Sequence, residues 1–158
     1  MDFETKKEKL EILVRHIDEV QKNCKLLADR LIAEDKTKFD FAKRLVANSY
    51  LHDNSKFSTL EWQHLTKADE DDEMLNVIIE EHGSRNFHHP EYWCDGIKEM
   101  PEIFLAECVV DWFTRSNEMG TDFFDWINRV AANRWKFTKR DKVYRKIMKF
   151  ANLLVTKM

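Results

Sequence analysis

The sequence is poor in the residues that make turns, with 3 glycines and 2 prolines among 158 residues. An average soluble protein has about 12% glycine plus proline, and hairpins, bulges and tight turns depend on them. This scarcity argues against a β-sandwich, a barrel or a doubly wound sheet. The glycine motifs GxGxxG and GxxxxGK do not occur in the sequence, which excludes the usual backbone cradle for phosphate.

Cysteines and long apolar runs are also scarce. The 3 cysteines, Cys24, Cys94 and Cys108, lie far apart and form no CxxC pair. This excludes a disulfide framework and favours a reducing, cytoplasmic setting. The charged N-terminus does not resemble a signal peptide, and there is no apolar run of about 18 residues. We therefore expect a cytoplasmic protein without a membrane partner.

Apolar residues are abundant, at 43% of the chain with 12% aromatic, so disorder is excluded. In the first part of the chain they recur in steps of three and four, which predicts a long helix over 4–33. Similar patterns and end signals predict further helices over 37–52, from Thr59, over 72–82 with a stop at Gly83, from Pro101 to Met119, and over 122–136 and 139–157. The segment Ser84–Gly96 is expected to be an ordered loop. Together these features predict an all-α fold, a single domain over 1–158 built as a bundle of about six to seven helices.

Charge is unevenly distributed along the chain. The net charge is −3, but residues 127–158 hold ten Lys or Arg and one acid, Asp141, whereas residues 1–126 carry a net charge of −12. The basic C-terminal helices, 122–157, could attract nucleic acid, although a solvated face packed on an acidic body is the favoured interpretation. The acidic run at 69–73 is expected to be a solvated loop or a helix start. The late helices are rich in Trp and Phe, which leaves a homodimer open.

Histidines and aspartates from at least four predicted elements could form a metal site, since imidazole and carboxylate suit zinc, iron and manganese. The candidates are His16, His52, Asp53, His82, His88, His89 and Asp111. A packed histidine beside the core is the alternative for His16, and a surface pair is the alternative for His88 and His89. His64 is expected at the surface.

Asp111 is the most informative of these residues because it lies in a nearly apolar helical run, Leu105 to Phe113. A buried carboxylate costs several kcal/mol unless it is paired or binds a metal. Arg115, one helical turn later, is the alternative partner. The presence of the other candidate ligands favours the metal interpretation.

In this order, on a helical chain, these residues resemble the HD-domain superfamily of metal-dependent phosphohydrolases. The closer resemblance is to a small bacterial and phage HD-type group with three motifs. They stand here as His-Asp-Asn-Ser-Lys-Phe at 52–57, Asn-Phe-His-His-Pro-Glu-Tyr-Trp at 86–93 and Asp-Trp at 111–112. The resemblance covers about residues 10–115, the expected metal-site core.

The resemblance implies one metal held by His16, His52, Asp53 and Asp111. It implies a second metal that shares Asp53 and adds His82 with His88 or His89. The lysine at position 56, in His-Asp-x-x-Lys, is similar to the two-metal branch of the superfamily, whereas many one-metal members have Glu there. The ions would be one or two divalent metals, among Mn, Mg, Zn, Ni, Co and Fe.

Two cations near these ligands are candidates for binding a phosphate group. Lys56 follows His52 by four residues and would share its face if the helix continued. Arg85 lies between the histidine groups and could make a bidentate contact. Glu81 is a candidate outer partner of a ligand imidazole, although an exposed Glu is commoner.

The expected function is hydrolysis of a phosphate ester of a small substrate, most simply a nucleotide. Metal-bound hydroxide would attack the phosphorus, with Asp53 and Lys56 as catalytic residues and Lys56 and Arg85 as substrate-binding residues. Two alternatives stay open: an HD-type di-iron oxygenase, and a non-catalytic module that binds a nucleotide or a partner.

Overall fold

The computed structural model describes residues 2–65 and 72–156, and this part of the chain is helical and contains no strand. The predicted all-α bundle is confirmed. The helices are α1 Phe3–Glu34, α2 Phe39–Ser49, α3 Thr59–Leu65, α4 Asp72–Arg85, α5 Glu102–Met119, α6 Phe123–Asp125, α7 Ala132–Arg134 and α8 Lys142–Val155. Residues Trp126–Ala131 join α6 to α7 as a π-helical segment. The predicted acidic segment at 69–73 lies mostly outside the described residues, and α4 begins at Asp72.

The long helix α1 forms for local reasons that are visible in the sequence. Asp2 caps its N-terminus by accepting a hydrogen bond from the Thr5 amide at 2.9 Å, which satisfies one of the otherwise unpaired N–H groups. The apolar stripe is buried from Leu13 to Leu31, whereas Leu10 is 37% exposed. His16 lies within this buried stripe, so the helix turns an imidazole toward the interior.

The core lies where α1 and α5 meet α2 and α8, with α1 in contact with all three other helices. Val20, Leu27, Leu45, Val109 and Ile147 are fully buried there. Each such side chain contributes about 1.5–3 kcal/mol through removal of apolar surface from water. This packing gives the candidate ligands on α1 and α5 a rigid support.

The few glycines and prolines have particular positions. Gly120 ends α5 in the left-handed region, with φ of 65°, as predicted. The predicted stop at Gly83 is wrong, because α4 continues to Arg85. A Cβ atom at Gly83 would lie 3.2 Å from Glu91 Cβ, so glycine here permits close approach of the loop that carries His88 and His89. Pro101 precedes α5 rather than lying in its first turn.

Two basic residues of α8 form ion pairs with acids on other elements. Lys146 Nζ lies 3.0 Å from Glu102 Oε2, and Lys149 Nζ lies 2.9 Å from Glu34 Oε2. These contacts connect the positive segment to the acidic body of the same molecule. Within the described ranges, no helix combines the length and apolar character needed to cross a bilayer.

Candidate metal centre

The first group of candidate ligands is buried between α1, α5 and the turn after α2. His16 comes from α1, Asp111 from α5, and His52 and Asp53 from that turn. His16 Nε2 lies 3.2 Å from Asp111 Oδ1 and 3.8 Å from Asp53 Oδ2. His52 Nε2 lies 3.7 Å from the same Asp53 oxygen. The four predicted ligands of the first metal therefore come together.

Asp53 adopts a left-handed backbone conformation, with φ of 53°. This region is uncommon for residues other than glycine, costs about 1–3 kcal/mol, and clusters at functional sites. Here α2 ends at Ser49 and a 3₁₀ turn begins at Asn54. The assumption that the helix continues from His52 to Lys56 is therefore wrong, and the left-handed turn instead directs two successive side chains into one cluster.

The second group comprises Asp53 with three histidines from the end of α4 and the following loop. His82 Nε2 lies 3.1 Å from Asp53 Oδ1, and His88 Nε2 lies 3.5 Å from it. His89 Nε2 lies 2.9 Å from His82 Nε2. The structure thus brings both His88 and His89 to this group, where the sequence left a choice between them.

Three glutamates contact the outer ring nitrogens of these histidines. Glu118 lies 2.9 Å from His16 Nδ1, and Glu61 lies 2.7 Å from His82 Nδ1. Glu107 Oε1 lies 3.1 Å from His52 Nδ1 and 3.6 Å from His88 Nδ1. Such a carboxylate holds the proton on Nδ1 and directs the Nε2 lone pair inward.

None of the three glutamates was predicted from the sequence. Glu107, Asp111 and Glu118 are spaced by four and seven residues, so they share one face of α5; this spacing was the available signal. The order Ser58-Thr59-Leu60-Glu61 is typical of a capping box at a helix start and predicts that role for Glu61, but the Glu61 side chain is buried and faces His82. The predicted outer partner Glu81 accepts instead from Arg85 Nη1 at 2.9 Å.

The inward atoms are buried polar groups without a hydrogen-bond partner. They are His16 Nε2, His52 Nε2, His88 Nε2, Asp53 Oδ1 and Asp111 Oδ1. Orphaned polar atoms of this kind are rare in native proteins and can indicate an ion. Two ligands about 2.1 Å from one ion lie about 3.0–3.4 Å apart, close to the distances above. The donors therefore fit divalent metals, and the second group and the set His16, His52 and Asp53 can each hold an ion.

Electrostatics keep the two carboxylates and His89 in the protonation states that metal binding requires. Although burial raises the pKa of Asp53, the charge of His52 and the neighbouring imidazoles of His82 and His88 hold it well below its usual range. The pKa of Asp111 is also lowered, because the adjacent imidazole of His16 and the charges of His52 and His88 together outweigh burial. Burial, with the charges of His88 and His82, lowers the pKa of His89 to about 2. The carboxylates are therefore anionic and His89 is neutral near pH 7.

The predicted cations occupy different positions. The Lys56 ammonium contacts Asp53 Oδ2 directly, and its side chain is 20% exposed. Arg85 is half exposed and lies beside a cavity of about 360 Å³ that reaches His88 and Glu107. Arg115, the alternative partner of Asp111, pairs instead with Glu118 at 3.0 Å. His64 on α3 is partly buried rather than fully exposed.

Fold and site together define a helical-bundle protein with a buried histidine–carboxylate cluster that can hold metal ions. Residues 5–154 match the family described as "Family of unknown function (DUF5662)", and the chain belongs to this family. No curated protein and no solved structure matches the chain significantly.

Proposed function

We propose that this protein is a metal-dependent phosphohydrolase of the HD type that acts on a small phosphate ester, most simply a nucleotide. The observation that carries the proposal is the position of Asp53. Its Oδ2 faces His16 and His52, whereas its Oδ1 faces His82 and His88. A carboxylate with its two oxygens in two ligand groups is suited to bridge two metals.

When bound, two such metals lower the pKa of a coordinated water to near neutrality and neutralise charge on phosphoryl oxygens. The first group of His16, His52, Asp53 and Asp111 would hold one ion. Asp53 with His82, His88 and His89 would hold the other. This assignment follows the resemblance to the HD superfamily, whose motifs supply the same residue types in the same order.

The protein's own groups would position the substrate and manage charge. Lys56, at the edge of the cluster, would bind a phosphate oxygen and limit the repulsion between the substrate and Asp53. Glu107, Glu118 and Glu61 would keep the ligand imidazoles oriented. Arg85 remains a candidate for binding substrate in the cavity of about 360 Å³.

The test is a turnover assay. Protein loaded separately with Mn, Zn, Ni, Co, Mg or Fe is incubated with nucleoside mono-, di- and triphosphates, cyclic nucleotides and p-nitrophenyl phosphate. The release of phosphate, pyrophosphate or triphosphate and the formation of monophosphates from cyclic nucleotides are measured as product release. We expect product release above that of Asp53→Asn for at least one metal. Oxygen uptake by the iron form without product release would favour the oxygenase, and tight nucleotide binding without turnover would favour the binding module. Either outcome would reject the phosphohydrolase.

A further inference from the structure

A second cavity, of about 380 Å³, adjoins the metal centre. Its lining includes one candidate ligand of each group, His89 from the second and Asp111 from the first. Two arginines, Arg115 and Arg134, and three tryptophans, Trp112, Trp126 and Trp135, line it as well. None of these five side chains is among the candidate metal ligands.

Each of the two arginines, whose side chains are about half exposed, pairs with a glutamate near the metal centre. Arg115 Nη1 lies 3.0 Å from Glu118 Oε2, and the other oxygen of Glu118 contacts His16. Arg134 Nη2 lies 3.1 Å from Glu91 Oε1, in the loop that carries His89. A guanidinium has five N–H donors, so one glutamate leaves donors available to an anion. Positioned cations of this kind bind phosphate oxygens.

The tryptophans form a fixed apolar wall. The Trp135 ring stacks on Trp112 with centroids 4.9 Å apart, and Trp126 lies 5.0 Å from Trp112. Trp135 Nε1 also donates to Glu91 at 3.1 Å. Trp126 begins the π-helical segment, a local irregularity that is frequent at functional sites. Such a wall suits a flat apolar group.

The first cavity is less suited to the same ligand. It reaches His88 and Glu107, and Glu107 contacts the outer nitrogens rather than the inward ones. Its other lining residues include the amides Asn48, Asn54 and Asn86. Asn86 Nδ2 already donates to the His82 carbonyl at 2.7 Å. The second cavity combines ligands of both groups with two cations.

We propose that this second cavity binds a small phosphate monoester, with Arg115 and Arg134 on the phosphate oxygens and Trp126 against a flat apolar group. The proposal rests on the proposed function, because it places the phosphate beside both ligand groups. The cavity volume lies near the lower end of the range of about 300–1,000 Å³ for small-molecule sites. A single ring system with one phosphate is therefore the expected size.

The experiment uses two non-hydrolysable probes, phenylphosphonate and methylphosphonate, titrated calorimetrically into manganese-loaded protein. We expect Arg115→Gln and Arg134→Gln each to weaken both probes about 10- to 100-fold, the effect of losing a charge-assisted hydrogen bond. We expect Trp126→Leu to reduce the preference for phenylphosphonate without weakening methylphosphonate. Arg129→Gln is the matched control, since Arg129 is 77% exposed and pairs with Asp125; Arg85→Gln tests the first cavity.

Metal content and thermal unfolding of each variant show whether it has folded and loaded, and Arg115→Lys and Arg134→Lys replace any variant that has not. Weakening by Arg85→Gln but not by the other two substitutions would overturn this proposal and leave the phosphohydrolase intact. Manganese binding without affinity for either phosphonate would also overturn it, whereas the turnover assay decides the function separately. A wild-type protein that binds no metal would reject both.

Discussion

The two ligand groups share Asp53 but rest on different parts of the fold. The first takes His16 and Asp111 from α1 and α5, two long helices that pack against each other in the core, and His52 and Asp53 from the turn after α2. The second depends on the last turns of α4 and on the loop that follows it. Exposure does not separate the groups, since each pairs a deeply buried histidine, His16 at 1% or His88 at 4%, with one ligand at 14%, Asp111 or His82. The comparison indicates that the first group is preorganised and that the second needs its loop in place, so the first should bind metal more tightly.

Loss of Asp53 should have the largest effect on metal content and activity, because Asp53 belongs to both ligand groups. Asp53→Asn keeps the shape of the side chain and suits the left-handed backbone, but it removes the bridging charge. We expect both metals to be lost and product release to fall more than about 100-fold, beyond the 10–100-fold typical of outer partners. Asp18→Asn, an exposed change on α1, is the control. Wild-type turnover by Asp53→Asn would contradict the assignment.

Single-ligand variants should separate the two groups. His82→Gln should leave one tightly bound metal per chain, whereas His16→Gln should remove the tighter one and leave the weaker. Bound metal stabilises the folded state by about 2.7 kcal/mol at 100 times its Kd, so His16→Gln should cost more metal-dependent thermal stability. Metal analysis and unfolding curves measure both effects, with His64→Gln as the control. Equal losses in the two variants would show that the groups do not differ.

Substitution of an outer glutamate should weaken metal binding only in the group whose histidine it contacts. The expected loss of metal affinity is smaller, about 10- to 100-fold. Glu118→Gln should weaken only the first group and Glu61→Gln only the second. Glu107→Gln should weaken both, since Glu107 lies near His52 and His88. Competition with a coloured chelator measures the affinities. If Glu107→Gln affected only one group, its proposed double contact would be wrong.

The smallest expected effect is a difference in thiol reactivity between the helices α1 and α5 and the segment after the histidine loop. Burial raises the pKa of Cys24 on α1 and of Cys108 on α5 well above the usual value. Cys94, in the segment after the histidine loop, is exposed. Near pH 8 we expect one thiol per folded chain to react quickly with Ellman's reagent and three after denaturation. Fast reaction of Cys24 or Cys108 in the folded protein would show that the helical side is not rigid.

Much of the fold could be predicted because helices leave local signals. The apolar stripe from Leu13 to Leu31 indicates which face of α1 is buried. The glycine at position 120 indicates where α5 ends. The predicted end at Gly83 failed because this glycine serves a tertiary contact with Glu91 rather than a helix terminus. A pattern along one helix contains no information about which distant loop will approach it.

The candidate ligands could be predicted as residue types in order, but their surroundings could not. Asp53 and the histidines could be selected as candidates because burying an imidazole or a carboxylate costs free energy unless it is paired or binds a metal. The sequence does not show whether Glu61 caps a helix or contacts His82, because that depends on how α3 packs against α4. The left-handed turn at Asp53 also has no signature beyond the tolerance of aspartate for that conformation.

The most direct test of the central claim is the number of metals bound by the wild-type protein. Purified chain is loaded with manganese, zinc, iron, nickel, cobalt or magnesium, freed of excess metal and analysed by mass spectrometry of the elements alongside a protein assay. The account predicts two divalent metals per chain for at least one of them, and none in Asp53→Asn. A wild-type chain that retains no metal, or an Asp53→Asn chain that retains both, would contradict it.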